Sequence, residues 1–165
     1  MSNESQIRIG PDFESRYPGA SASATESAMN LVLTADLLLK RISELLLPLN
    51  LTPSAGLVLS LLADSVEPFS PHEIASRLIV SRASVTSLLD TLERQEFVRR
   101  RPHPSDRRML MVEITEKGRA VADEFRPIVH RNQKIWFQNL TAAEREQLIA
   151  LLHRVQRNLQ AKGKE

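Results

Sequence analysis

The middle third of the chain constrains the fold most: three short helical stretches, each opened by its own cap, and then an abrupt change of period. Thr52-Pro53 reads as an N-cap with proline at the first helical position, where its missing N–H costs nothing. Leu57, Val58, Leu61 and Leu62 continue that helix. Ser70-Pro71-His72-Glu73 is a capping box in which Ser and Glu satisfy each other's backbone donors, with Ile74 and Leu78 inward. After only Ile79-Val80, Ser81 caps a third helix. Its Val85, Leu88, Leu89 and Leu92 recur at i, i+3, i+4 and i+7 and form the expected buried face. Ala83, Ser84, Thr86, Ser87, Asp90 and Arg94 fall on the other side. The period then drops to two: Phe97 to Arg101 is extended, Pro102 to Asp106 is turn chemistry, and Leu110, Val112 and Ile114 alternate. This predicts a β-hairpin with a basic tip.

The flanks are helical and unusually apolar. In residues 25–47, Met29, Leu31, Val32, Leu33, Leu37, Leu38, Leu39, Ile42 and Leu45 to Leu47 are too dense for one buried stripe, so this helix wants more than one partner. Pro48 ends it. Thr115 caps a long helix containing Val121, Phe125, Ile128 and Ile135, in which Pro127 is expected to produce a kink. Thr141-Ala142-Ala143-Glu144 is a second capping box, before Leu148, Ile149, Leu152, Val155 and Leu159 at helical spacing. Residues 1–24 show little periodicity and read as a flexible arm, with Phe13 and Tyr17 able to dock. The expected division is therefore an arm (1–24), an apolar helix (25–50), a region of three capped helices and a hairpin (51–115) and C-terminal helices (116–165).

At 165 residues and 42 % apolar, with no run of some 20 apolar residues, the chain reads as a compact protein with no membrane span. No secretory signal is seen at its start, so a cytoplasmic location is expected. Cysteine is absent, which closes disulfide, thiolate-metal and thiol-redox chemistry. Net charge is only +2, but its distribution is uneven: residues 1–80 carry five Lys/Arg against nine Asp/Glu, and residues 81–165 seventeen against eleven. Between Phe97 and Arg108 five arginines face one acid, Asp106.

Two short helices on a tight link and then a hairpin make a helix-turn-helix followed by a wing, a mainly α fold with a small β-hairpin. Three features point to duplex DNA. The exposed side of the third helix carries small hydroxyls, which permit close approach in a major groove. Its N-terminus presents unpaired amides to phosphate. The wing carries arginines, which suit a narrow, strongly negative minor groove. Taken singly, each feature has a plainer reading: Ser and Thr are common on solvated faces, and Arg99 to Arg101 could simply solvate an edge strand. Their ordered combination favours DNA.

These residues also resemble a known family. Leu51-Thr-Pro, Ser70-Pro-His-Glu-Ile-Ala-Ser-Arg-Leu and Val80-Ser-Arg-Ala-Ser-Val-Thr-Ser-Leu-Leu-Asp-Thr-Leu-Glu-Arg are similar to the helix-turn-helix of the MarR family. Phe97-Val-Arg-Arg, Pro104-Ser-Asp-Arg-Arg and Val112-Glu-Ile-Thr-Glu-Lys-Gly resemble its wing and the following helix. The resemblance implies a winged helix-turn-helix flanked by N- and C-terminal dimerisation helices, acting as a sequence-specific, double-stranded DNA-binding transcriptional regulator. It further implies a repressor that sits as a homodimer on an inverted repeat and is released by a small amphipathic or aromatic ligand. Carried over residue by residue, Ser81, Arg82, Ser84, Thr86 and Ser87 lie nearest bases or phosphates, Asp106 orients a wing arginine, and Arg108 or alternatively Arg107 enters the minor groove.

No cofactor or metal is expected. His72, His103, His130 and His153 are scattered, and none has a histidine one helical turn away. No phosphate-cradling glycine loop or paired-histidine motif points to an enzyme. The competing reading is a winged-helix protein–protein adaptor without DNA binding.

Overall fold

The computed structural model describes residues 7–78, 81–106 and 109–161. Its elements in chain order are α1 (Phe13–Arg16), α2 (Ala22–Leu46), a 3₁₀ turn (Leu47–Leu49), α3 (Pro53–Ala63), α4 (Pro71–Leu78), α5 (Arg82–Arg94), β1 (Val98–Pro102), β2 (Leu110–Ile114), α6 (Glu116–Trp136) and α7 (Ala142–Ala161). The chain divides into two compact units, residues 1–122 and 123–165. No single helix among the described residues is long and apolar enough to cross a membrane.

The core of the first unit gathers around α3 to α5. Val58 and Leu59 of α3, Ile74 of α4, Val85, Leu89 and Leu92 of α5, and Val98 and Val112 of the hairpin are buried. β1 and β2 pair antiparallel with Arg100 opposite Val112 and Arg99 opposite Glu113. Phe69, just before α4, adds a bridge to the free side of β2: its N–H donates to the Val112 carbonyl at 3.0 Å and its carbonyl accepts from Val112 at 2.7 Å. The hairpin is thereby tied to the loop that leads into α4.

The caps read from sequence are made. Thr52, Ser70 and Ser81 accept from the N–H groups of Ala55, Glu73 and Ser84, and Glu73 accepts in return from the Ser70 N–H at 2.7 Å. That bond, together with one from the Ser70 hydroxyl, holds the Glu73 carboxyl below its ordinary pKa. Two helix ends stop alike, in an arrangement that no glycine announces. Asn50 and Glu96 take left-handed backbone (φ 53° and 64°). The next N–H reaches back five residues to a carbonyl, Leu51 to Leu46 and Phe97 to Leu92, and both apolar pairs are buried.

Three expectations are corrected. The third-helix face includes Leu88 only in part, for it is half-buried whereas Val85, Leu89 and Leu92 are buried; Leu57 of α3 is exposed. α2 begins at Ala22 rather than Thr25, because Ser21 takes the cap. The arm 1–24, in its described part, folds back on α2 of its own chain. There the Asn30 amide clasps both N–H and carbonyl of Ile7, and Glu26 accepts from the Ile9 N–H at 2.8 Å and from Arg8 at 3.0 Å.

In the second unit, Thr141 and Glu144 form the expected reciprocal box, the Thr141 N–H donating to the carboxylate at 2.7 Å. α7 then presents Ile149, Leu151, Val155 and Leu159 exposed, and has no buried residue. α6 continues through Pro127 without ending.

Candidate nucleic-acid interface

α5 is two-sided because its apolar spacing leaves one face to the core and its hydroxyls to the other. Ser81, Ser84, Thr86, Ser87 and Asp90 are exposed, while Val85 and Leu89 between them are fully covered. At the N-terminus the Ser81 hydroxyl accepts from the Ser84 N–H at 3.1 Å and shares a 2.7 Å bond with the Ser84 hydroxyl. The outer face also borders a groove of about 390 Å³ between α3 and α5, in which Ser84, Ser87 and Thr91 meet Leu57, Leu78 and Leu88. Leu57 and Leu88 thus escape the core because they line this groove.

The hairpin stands beside α5 through the Gln95–Phe97 corner. Its strand arginines are partnered, which sequence reading missed. Arg99 and Arg101 share the carboxylate of Glu113 from the opposite strand. Arg100 lies on the other strand face, only 19 % exposed at the side chain, and turns back onto α5. Its guanidinium donates to Asp90 at 2.7 Å, to Glu93 at 2.9 Å and to the Thr86 carbonyl at 3.3 Å; its own N–H donates to Glu93 at 3.1 Å. Arg99 and Arg101 share a face by the two-residue strand period, so their common acid could have been found once the register was known. Arg100 had no such signal, because its partners lie seven to fourteen residues back on a different element.

The tip is organised by the ring of His103. Its Nδ1 accepts from the N–H of Ser105 at 3.2 Å and of Asp106 at 3.3 Å, and shares a 3.0 Å bond with the Ser105 hydroxyl. The Met109 N–H closes the turn on the Asp106 carbonyl at 2.9 Å. Asp106 is exposed there. Arg107 and Arg108 lie outside the described residues, as does the side chain of Arg82.

The hairpin returns to helix through one residue. The Thr115 hydroxyl donates to the Glu96 carbonyl at 2.7 Å and accepts from the Gly118 N–H at 3.0 Å. Lys117 pairs with Glu96 at 2.8 Å and lowers its pKa, holding the left-handed corner from outside. Gly118 permits this closure: a Cβ there would come within 2.0 Å of the Phe97 carbonyl oxygen.

Residues 51–110 match the family model described as MarR family. The chain is 34 % identical over 96 residues to the HTH-type transcriptional repressor YetL of Bacillus subtilis, covering 58 % of each chain. It is 31 % identical over 88 residues to the HTH-type transcriptional repressor NicR of Pseudomonas putida, covering 53 % of this chain and 56 % of that one. These alignments span a little over half the length of the curated relatives. Among solved structures, a mutant of MarR from E. coli complexed with operator DNA superposes with TM-score 0.72 and 26 % identity over 87 % of this chain and 96 % of that chain. The regulator BldR from Sulfolobus solfataricus superposes with TM-score 0.71 and 26 % identity over 84 % and 99 %.

Proposed function

We propose that this chain, whose residues 51–110 match the MarR family model, is a MarR-type transcriptional repressor that binds double-stranded DNA as a homodimer through α5 and the hairpin tip. The observation that carries this reading is the division of α5: a buried stripe of Val85, Leu89 and Leu92 fixes the helix, and an exposed face of Ser84, Thr86 and Ser87 lets its backbone approach a groove closely. Hydroxyls pair with several base edges and discriminate weakly, so specificity comes from two half-sites and from DNA shape. The wing contribution is assigned to Arg108, with Arg107 second and Asp106 as orienting acid. The dimer is supported by the exposed apolar residues of α2 and α7, which water does not favour in such number. A small amphipathic or aromatic effector that releases the dimer from DNA completes the reading, and rests on the family alone.

The test is selection of bound duplexes from random DNA by the purified protein, followed by titration of Arg108→Ala at several salt concentrations. An inverted repeat with half-sites about 34 Å apart is expected. Arg108→Ala should weaken binding and make the salt slope shallower by about one unit. Unchanged affinity and slope in both Arg108→Ala and Arg107→Ala would remove the wing from the interface, and absence of any selected duplex would favour the adaptor.

A further inference from the structure

We infer that Arg100 is a positioning residue for DNA recognition: it fixes the angle between hairpin and α5 and does not itself touch DNA. The inference rests on the regulator reading and deepens it. Thr86, Asp90 and Glu93 are spaced i, i+4 and i+7 and so form one stripe along α5. Arg100 spans that stripe, meeting a backbone carbonyl and two carboxylates with one planar guanidinium, while Glu93 also accepts from the Arg100 backbone N–H. The strand is thus fastened to the helix by main chain and side chain at one residue. A lysine has no planar fork and cannot reproduce the contact.

The charge balance supports the assignment. Asp90 is half exposed, with 53 % of its side chain open, on the same side as the hydroxyls. A bare carboxylate there would repel phosphate. Arg100 masks Asp90 and Glu93 together, so three ionised groups of the interface serve to hold it rather than to bind. Arg99 and Arg101 point the other way and close on Glu113, which leaves Arg100 as the link between the hairpin and the face that carries Ser84 and Ser87. Wing and helix must meet two grooves of one duplex at once, so their mutual angle carries specificity that neither element carries alone.

The experiment compares Arg100→Lys, Arg100→Gln and Asp90→Asn with the parent protein on the selected duplex and on a scrambled one, at several salt concentrations. Circular dichroism and sedimentation would confirm fold and assembly. A positioning residue predicts about tenfold or greater loss on the selected duplex, less than about twofold on the scrambled one, and an unchanged salt slope, because no phosphate contact is removed. Arg100→Lys should not rescue. Asp90→Asn is the decisive variant, since it keeps shape and lies at the surface. Removing a negative charge should tighten all DNA binding if electrostatics alone acts, but should weaken the selected site if the clamp matters. Equal loss on both duplexes with a shallower slope for Arg100→Gln, or tighter selected-site binding by Asp90→Asn, would overturn the inference. Failure of the parent protein to bind any duplex would instead overturn the regulator reading on which it stands.

Discussion

α2 and α3 are neighbours in sequence with opposite relations to water. α3 has 11 residues and buries five of them, Ala55, Gly56, Val58, Leu59 and Leu62. α2 has 25 residues and, for all its leucines, buries only Leu46. Val32 and Leu37 stand 60 % and 63 % exposed, whereas Val58 and Leu59 are fully covered. The helix-turn-helix and wing complete their core within one chain. In the homodimer proposed above, this exposed apolar surface of α2 would meet a second copy of the chain. The stability of the two regions should therefore depend on concentration to different degrees.

The sharpest way to break the comparison is a charge on the uncovered helix. Leu37→Glu would leave a folded monomer nearly untouched but would place an uncompensated charge in a dimer interface, at a cost on the order of 3–5 kcal/mol. We expect complete loss of the dimer by sedimentation, and a dimer unchanged by the substitution would show that this face is not an interface. A smaller effect tests the self-contained region. Gly118→Ala drives a methyl into the Phe97 carbonyl, so the hairpin or the start of α6 must shift, at about 1–3 kcal/mol in thermal or denaturant unfolding. Because that core lies within one chain, the loss should be the same at every protein concentration.

The smallest effect is electrostatic. Glu73 has its pKa lowered in the folded chain by the Ser70 N–H and hydroxyl. A depressed carboxyl stabilises the fold above the pKa of the unfolded chain, and that stability is lost as pH falls through the lowered folded value. Glu73→Gln should therefore cost stability at neutral pH, with the gap to the parent protein closing as acid protonates Glu73. The side chain is exposed, so screening keeps the effect small. A gap that is constant from neutral pH into acid would show that the carboxylate charge is not what the cap uses.

Local chemistry made much of this fold legible in the sequence. Caps at Thr52, Ser70, Ser81 and Thr141 depend on residues three apart, and all four bonds form. The buried stripe of α5 depends on helical period alone. What escaped reading depends on elements meeting at angles that no period encodes. Leu88 belongs by period to the core and by packing to a groove edge. Arg100, one basic residue in a run of three, faces away from its neighbours and onto α5. Helix stops at Asn50 and Glu96 were not foreseen because left-handed backbone is expected of glycine, while here a buried apolar pair and, at Glu96, Lys117 and Thr115 hold it. Within the candidate interface the exposed hydroxyls fall where the period placed them, but the order imposed on the tip by His103 follows from three donors converging on one ring nitrogen.

The two-sidedness of α5 has an evolutionary consequence. Ser84 and Ser87 lie outside the core, so substitutions there should change folding stability by less than about 0.5 kcal/mol. On the proposed reading, new side chains can be tried at these positions without compensating mutations, whereas a change at Val85 or Leu89 would cost the fold before it could alter target choice. The face proposed to choose the target would thus be free to vary on a helix whose other face must stay as it is.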